Sequence, residues 1–220
     1  YTMPNGDKKV EATVARVRNG IAVNYTEAYM RRRDPDTMLV SDDRPSDKPR
    51  FHDRFHQPFD SLRQRTLDWL AEQELAVFAF RTGWDDLGAQ ALAVAPVNAA
   101  FFPLGLALLQ GLIPLDEIPA DYAPQVVFYV APIFRHTDFD GKQIVVHNRR
   151  DSLYEIFSYN LYPGPSAKKG VYGTLIHLGE EQGWVAAHCS GVQVVTPYDN
   201  IVTIMHEGAS WGGKSEMLEQ

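Results

Sequence analysis

The segment with the clearest chemistry is a glycine-rich stretch that ends in lysine and serine. From Gly208 to Ser215 it reads Gly-Ala-Ser-Trp-Gly-Gly-Lys-Ser and matches the pattern G-x-x-x-x-G-K-[ST] in full. Glycines let backbone N–H groups curve around phosphate oxygens. The lysine neutralises the terminal phosphates, and the serine hydroxyl ligates Mg²⁺. The segment therefore predicts a nucleotide-binding loop, here called the phosphate loop, with binding residues Gly208, Ser210, Gly212, Gly213, Lys214 and Ser215.

The context of the phosphate loop supports this interpretation. An apolar run, Ile201 to Met205, predicts a strand that leads directly into it, as the motif requires. The alternative is a glycine-rich turn that contains Lys-Ser by chance. Trp211 departs from the usual pattern, because such loops favour small residues; we expect its indole to crowd the phosphates or to strain the backbone.

Three short segments upstream carry further reactive side chains. They are Tyr162, the run Lys168-Lys169-Gly170, and the run His188-Cys189-Ser190. Taken alone, a lysine pair is typical of a solvated loop, and a single histidine on a strand is usually structural. Together the segments follow a distinctive order: tyrosine, Lys-Lys-Gly, two strands around a turn, His-Cys-Ser, a strand and the phosphate loop.

That order resembles the phosphoenolpyruvate carboxykinases, in particular the ATP-dependent class. The family's loop has the form Gly-x-Ser-Gly-x-Gly-Lys-Thr, and Trp211 stands where the family has glycine. The stretch from Arg33 to Asp43 looks like the family's Thr-Gly-Arg-Ser-Pro-Lys-Asp segment and the aspartates after it, although Arg31 and Arg32 replace Thr-Gly. The resemblance is specific only over residues 162–215, so the chain looks like a divergent bacterial branch of the family.

The resemblance implies roles for five residues and a set of ligands. Arg33 and Tyr162 would hold the small carboxylate or CO₂, and Lys168 would contact substrate or phosphoryl oxygens. Lys169 and His188 would bind Mn²⁺, which requires the lysine to be neutral. The implied cofactors are ATP (or GTP), Mg²⁺ and Mn²⁺. The family's third metal ligand, an aspartate beyond the loop, has no counterpart, so we expect a piece of a longer protein that lacks carboxykinase activity by itself.

Two other functions stay open. One is a kinase or phosphorylase that uses the same loop on a different acceptor, a protein included. The other is a nucleotide-binding domain without catalysis. Trp211 and the altered Thr-Gly-Arg match favour these alternatives, whereas Tyr162, Lys169 and His188 favour an enzyme that acts on a small carboxylate such as oxaloacetate.

Composition limits the partners and the compartment. The 220 residues carry a formal charge of −7, which argues against a broad nucleic-acid surface. The most apolar stretch, 89–115, is interrupted by proline and polar residues, which favours a buried core over a membrane span. With one cysteine, Cys189, and no secretory signal, we expect a cytoplasmic protein whose partners are a nucleotide and a small carboxylate.

Hydrophobic patterning predicts an α/β fold with a mixed sheet. A carboxykinase-like domain is expected over 1–195, followed over 196–220 by the first strand and phosphate loop of a nucleotide-binding domain. Strands are predicted at 10–17, 20–25, 75–80, 125–130, 143–147, 171–178, 183–188, 193–195 and 201–205. Helices are predicted at 59–73, 103–112 and 151–160. The stretch 89–99 is predicted to be a helix that leads into a strand, and 31–58 and 162–166 are predicted to be loops.

Overall fold

The chain forms two compact units, Tyr1–Leu175 and Ile176–Gln220. The structure is a computed structural model that describes residues 2, 5–8, 10, 12–26, 38–83, 88–131, 143–151, 153–160, 165–187, 189–208, 212–214 and 216–218. The two domains expected from the sequence, with a boundary at 195–196, stay a prediction.

The first unit is built on a mixed sheet, which confirms the predicted α/β class. Six strands of the described residues form it: β3 (Met38–Val40), β4 (Leu75–Thr82), β5 (Ala89–Pro96), β6 (Val126–Ala131), β7 (Ile144–Arg149) and β8 (Tyr154–Tyr159). Their order across the sheet is β3-β7-β8-β6-β5-β4. Pairing is parallel for β3 with β7, β8 with β6 and β6 with β5, and antiparallel for β7 with β8 and β5 with β4.

One face of the sheet packs on two helices, α1 (Phe51–Phe55) and α2 (Phe59–Ala71). Helix α2 is amphipathic as predicted, and Leu62 is buried in the core cluster with side chains from β7 and β8. The rings of Phe59 and Phe157 meet edge to face at 5.3 Å. This aromatic and aliphatic core fixes the central strands. Helix α3 (Phe101–Gln110) packs on β4 and β5.

Helix α4 (Pro165–Glu181) begins with a proline, which suits a first helical position because the N–H it lacks would be unpaired there. Val171 and Thr174 are fully buried. A Cβ built on Gly170 would lie 3.4 Å from Ile156 Cδ1 and 3.7 Å from His147 Cε1, so this turn of the helix lies close against β7 and β8.

Two hairpins complete the described strands. Strand β1 (Ala12–Val17) pairs antiparallel with β2 (Gly20–Tyr25). In the second unit, β9 (Cys189–Val195) pairs antiparallel with β10 (Ile201–Glu207) in a separate two-stranded sheet. Predicted elements at 10–17, 20–25, 59–73, 75–80, 103–112, 125–130, 143–147, 193–195 and 201–205 are thus confirmed, with shifted ends.

The helix predicted at 151–160 is wrong, because this segment contains strand β8. All six β8 side chains are buried, so the strand shows no alternation of apolar and polar residues. Glu155 lies at its centre with no exposed surface and pairs with Arg63 of α2. The charged Glu155 makes the sequence pattern look unlike a buried strand, because the pattern does not show that Arg63 pairs with it.

The strands predicted at 171–178 and 183–188 are also wrong. Residues 171–178 belong to α4, where Val171 and Thr174 share one buried face at helical spacing, and 183–187 form no strand. The β-branched residues of 171–178 favour a strand, but packing of Val171 and Thr174 against the sheet overrides that preference.

Two further predictions need correction. Residues 89–96 form strand β5, and a 3₁₀ turn at Val97–Ala99 follows it, so the predicted order of helix and strand is reversed. Alanine favours helices, yet Ala91, Ala93 and Ala95 are fully buried in this strand. The predicted loop at 31–58 contains β3 and α1, and the predicted loop at 162–166 gives way to α4 at Pro165.

Candidate functional site

The described part of the phosphate loop follows β10 directly. The turn before β10 is tight: the amide of Thr196 donates to Asn200 O at 2.9 Å, and Asp199 adopts φ 58°. The antiparallel register then runs from Ile201 opposite Val195 to Glu207 opposite Cys189. The chain therefore leaves the hairpin at Gly208, where the glycine-rich motif begins.

A lysine ammonium bridges the two ends of the loop. Lys214 Nζ donates a hydrogen bond to the carbonyl oxygen of Gly208 at 2.7 Å. Gly213 adopts φ +76°, in the left-handed region where a Cβ is strained. The amide of Met217 donates to Gly213 O at 3.2 Å, and a 3₁₀ turn covers Glu216–Leu218. An ammonium has three donors, so Lys214 can hold Gly208 and still donate to a phosphate.

Strand β9 also contacts the loop. The Ser190 hydroxyl donates to the carbonyl oxygen of Lys214 at 3.0 Å and lies 3.4 Å from His206 Nδ1. Ser190 and His206 are direct cross-strand partners and are half-buried. Neither residue was predicted to have a role. Counting back from the 197–200 turn, which sets the hairpin register, would have paired them.

The Lys-Lys-Gly run lies in the first turns of α4. Gly170 packs near Ile156 and His147, which places the backbone of Lys168 and Lys169 beside this part of the sheet. No acidic residue occurs in the first turn of α4.

Several residues expected in the site lie outside the described residues. They are Arg33, Tyr162, His188, Ser210, Trp211 and Ser215. The side chains of Lys168 and Lys169 are likewise not described. The expected approach of Lys169 to His188, within about 5 Å for two ligands of one metal ion, therefore stays a prediction.

A second polar cluster is buried under α2. Glu155 accepts two hydrogen bonds from Arg63, at 2.7 and 2.6 Å, and one from Asn148 Nδ2 at 2.6 Å. The Ser41 hydroxyl donates to Asn148 Oδ1 at 2.7 Å. Both carboxylate oxygens are thus engaged, which identifies the cluster as a structural link between α2, β7 and β8.

Asp42 lies in the segment that directly follows β3. It is bound by Arg149 through bonds of 2.9 and 2.5 Å, and Arg149 also donates to the carbonyl oxygens of Arg44 and Pro45. Burial alone would raise the pKa of Asp42, but the hydrogen bonds and the charge of Arg149 outweigh it and hold that pKa below its usual range. Asp42 therefore serves to anchor the chain after β3.

On the face toward α4, His147 Nδ1 lies 2.7 Å from the hydroxyl of Tyr154. Burial raises the pKa of Tyr154 well above its ordinary value, so the phenol stays protonated at neutral pH. The pair lies close to the Lys-Lys-Gly turn, since Gly170 and Gly173 both approach the imidazole.

Within the part of the chain that the structure describes, no three His, Cys, Asp or Glu side chains gather into a metal-binding group. Among the same residues, no helix is both long enough and apolar enough to cross a membrane.

The chain was compared with known protein families. The whole chain, residues 1–220, matches the family described as "Domain of unknown function (DUF4914)". The chain belongs to this family. No curated protein matches the sequence.

Proposed function

We propose that the full-length protein is a nucleotide-dependent enzyme of the phosphoenolpyruvate carboxykinase type, which acts on a small carboxylate such as oxaloacetate. The observation that carries this proposal is the loop after β10, where Lys214 spans to Gly208 at 2.7 Å and Gly213 takes a left-handed φ of +76°. This arrangement suits a backbone cradle for phosphate, with a lysine ammonium at its mouth.

The proposed reaction joins two bond changes. Oxaloacetate loses CO₂, and the enolate oxygen that results takes the γ-phosphoryl group of ATP (or GTP), which leaves ADP (or GDP). Lys214 would neutralise the phosphates while the loop amides hold them in line with the acceptor. Lys168 would contact the substrate or phosphoryl oxygens, and Arg33 and Tyr162 would hold the carboxylate.

The proposed metal ligands are Lys169, His188 and Ser215. The position of Lys169 near the start of α4, without an acidic residue in the first turn, fits a lysine that must be neutral to ligate. A bound divalent ion supplies Lewis-acid stabilisation of negative charge on the reacting oxygens. In this proposal Lys169 and His188 would hold Mn²⁺, and the Ser215 hydroxyl would hold Mg²⁺.

A second candidate keeps the loop but changes the acceptor. Trp211 occupies a position that is glycine in the carboxykinases, and Arg31 and Arg32 replace a Thr-Gly pair. These departures favour a kinase or phosphorylase on another acceptor, or a nucleotide-binding domain without catalysis. For either function we propose a cytoplasmic location, because the free thiol of Cys189 fits a reducing compartment.

The deciding experiment is an assay on the full-length protein with oxaloacetate, ATP and Mn²⁺. We expect phosphoenolpyruvate and ADP to form in equal amounts, and Lys169→Met to lower kcat by at least about tenfold, as expected when a metal site loses support. A protein that binds MgATP but forms no phosphoenolpyruvate would contradict the carboxykinase proposal and favour the second candidate.

A further inference from the structure

The loop lysine is held at two points, one on its side chain and one on its backbone. Its ammonium reaches Gly208 O at 2.7 Å, and its own carbonyl oxygen accepts a hydrogen bond of 3.0 Å from Ser190. The first contact lies within the loop. The second comes from β9, the strand beside β10, so the hairpin itself supports the end of the loop that carries the lysine.

The number of protons on each group determines which of Ser190 and His206 donates the hydrogen bond. A serine hydroxyl has one proton to donate, and here the proton points to Lys214 O. The remaining contact, 3.4 Å between Ser190 Oγ and His206 Nδ1, is then favourable only if the imidazole donates. With Nδ1 of His206 protonated, the contacts form a chain in which His206 donates to Ser190 and Ser190 donates to the Lys214 carbonyl oxygen.

This chain of contacts acts next to a left-handed position of the backbone. Gly213, the residue before Lys214, is in a left-handed conformation, and among the described residues that follow, Glu216–Leu218 form a 3₁₀ turn. A flexible glycine-rich segment loses conformational entropy when it wraps a phosphate, so a bond that pre-forms its geometry improves affinity.

We propose that Ser190 and His206 are positioning residues of the nucleotide site. They hold the Lys214 end of the phosphate loop so that its amides and ammonium face the phosphates. This inference rests on the proposed nucleotide-binding function. The Ser190 hydroxyl and the His206 imidazole, which lie outside the loop motif, thereby support phosphate binding.

The experiment measures MgATP, inorganic tripolyphosphate and adenosine binding to the full-length protein by calorimetry. Ser190→Ala should lower the affinity for MgATP and for tripolyphosphate by about fivefold to tenfold, the factor that one hydrogen bond supplies. The affinity for adenosine should not change. Ser190→Thr keeps the hydroxyl and should restore affinity. His206→Leu should weaken MgATP by about threefold, whereas His206→Asn, whose amide can donate near the position of Nδ1, should retain it.

Two further measurements separate positioning from general damage. Thr203→Ala removes a hydroxyl from the same hairpin, at the cross-strand pair with Gln193, and should change neither phosphate affinity nor the exchange of loop amides. Hydrogen exchange at the Met217 amide, which bonds to Gly213 O, should accelerate in Ser190→Ala without nucleotide. The double variant Ser190→Ala/His206→Leu should bind MgATP no worse than Ser190→Ala, because both act through one contact.

Each remaining result overturns a different statement. If the wild type binds MgATP and Ser190→Ala binds it equally well, the positioning role is wrong and the nucleotide site stands. Equal weakening by Ser190→Ala, Ser190→Thr and Thr203→Ala would also reject positioning, since it would reveal damage to the hairpin. If the wild type binds neither MgATP nor tripolyphosphate, the proposed function fails, and this inference fails with it.

Discussion

The two compact units differ in how their strands are covered. In Tyr1–Leu175 the central strands β6, β7 and β8 are almost wholly buried, and the polar groups within them, such as Glu155, bond to other side chains. In Ile176–Gln220 the β9–β10 hairpin exposes apolar side chains: 66% of Val195, 65% of Ile201 and 61% of Met205 are accessible.

This contrast separates the part of the chain expected to determine stability from the part proposed to bind nucleotide. The sheet of the first unit has the buried area and the satisfied charges that resist unfolding. The phosphate loop is held by a few hydrogen bonds, chiefly at Ser190 and Lys214, so its geometry can change without loss of the larger core. Variants in the two units should therefore affect different measurements.

The largest effect is expected from Glu155→Ala in the first unit. This change leaves Arg63 and Asn148 without their carboxylate partner, and Arg63 is only 18% exposed. Removing one member of a buried ion pair should lower the free energy of unfolding by about 3 kcal/mol, measured by urea denaturation. The matched control is Asp151→Asn, which breaks the exposed ion pair with Arg44 and should have no measurable effect. A loss no greater than that of the control would contradict the assignment of Glu155 to the core.

The next effect concerns binding. Trp211, which lies outside the described residues, stands where the resemblance places glycine. If its indole blocks the cradle, Trp211→Gly should strengthen MgATP binding by about 1–3 kcal/mol, the range of relieved backbone strain. Calorimetry on the full-length protein measures this. Equal or weaker binding by the glycine variant would show that the indole does not obstruct the phosphates.

A smaller binding effect should distinguish two glycines of the loop. Gly213 has a left-handed φ of +76°, so Gly213→Ala should weaken MgATP binding by about 1–2 kcal/mol through strain. At Gly208 a Cβ would meet nothing within 4 Å, and its φ lies outside the left-handed region, so Gly208→Ala is the matched control with a smaller loss. Equal losses would mean that left-handed strain is not what the loop requires of Gly213. Neither change should alter the melting temperature of the first unit.

The smallest effect is a pH dependence in the first unit. Because Arg149 holds the pKa of Asp42 below the usual 3.8, this carboxylate adds stability above that pH, and the contribution is lost as the pH falls through the depressed value. Asp42→Asn should be less stable than wild type at neutral pH, and the difference should shrink as the pH falls below about 4. Denaturant unfolding across this range is the measurement, and a constant difference would contradict the account.

Strong local patterns were enough for much of the fold. The helical spacing of Leu62, Thr66 and Leu70 located α2, since all three face the core. The turn at 197–200 located the hairpin before the phosphate loop. These elements can be predicted from neighbouring residues alone, because the spacing on one helix face or the residues of one turn identify them.

Where tertiary packing decides the structure, the sequence patterns misled. Strand β8 is covered on both faces, and its charge is satisfied by Arg63, 92 residues earlier in the chain. Helix α4 contains glycines at positions where it approaches His147 and Ile156, and glycine lowers its helical signal. Neither fact can be read from the segment alone.

In the candidate site, too, contacts between distant residues could not be predicted from local sequence. The spacing of glycines and the Lys-Ser pair predicts a phosphate loop from Gly208 onward because the motif is contiguous, and its binding function stays a prediction. The contact of Ser190 with Lys214 crosses 24 residues and depends on the hairpin register, so no local motif signals it. The pairing of His206 with Ser190 follows from the hairpin register, but that register does not indicate the further contact with Lys214.

The most direct test of the central claim is a calorimetric titration of MgATP into the full-length protein and its Lys214→Ala variant. Lys214 already spans the loop to Gly208, and its ammonium should contribute a charged hydrogen bond to the phosphates. We predict that wild type binds MgATP and that the variant binds it about 10- to 100-fold more weakly, with an unchanged melting temperature. Equal affinity in the two proteins, or no binding by wild type, would contradict the assignment of residues 208–215 as a nucleotide-binding loop.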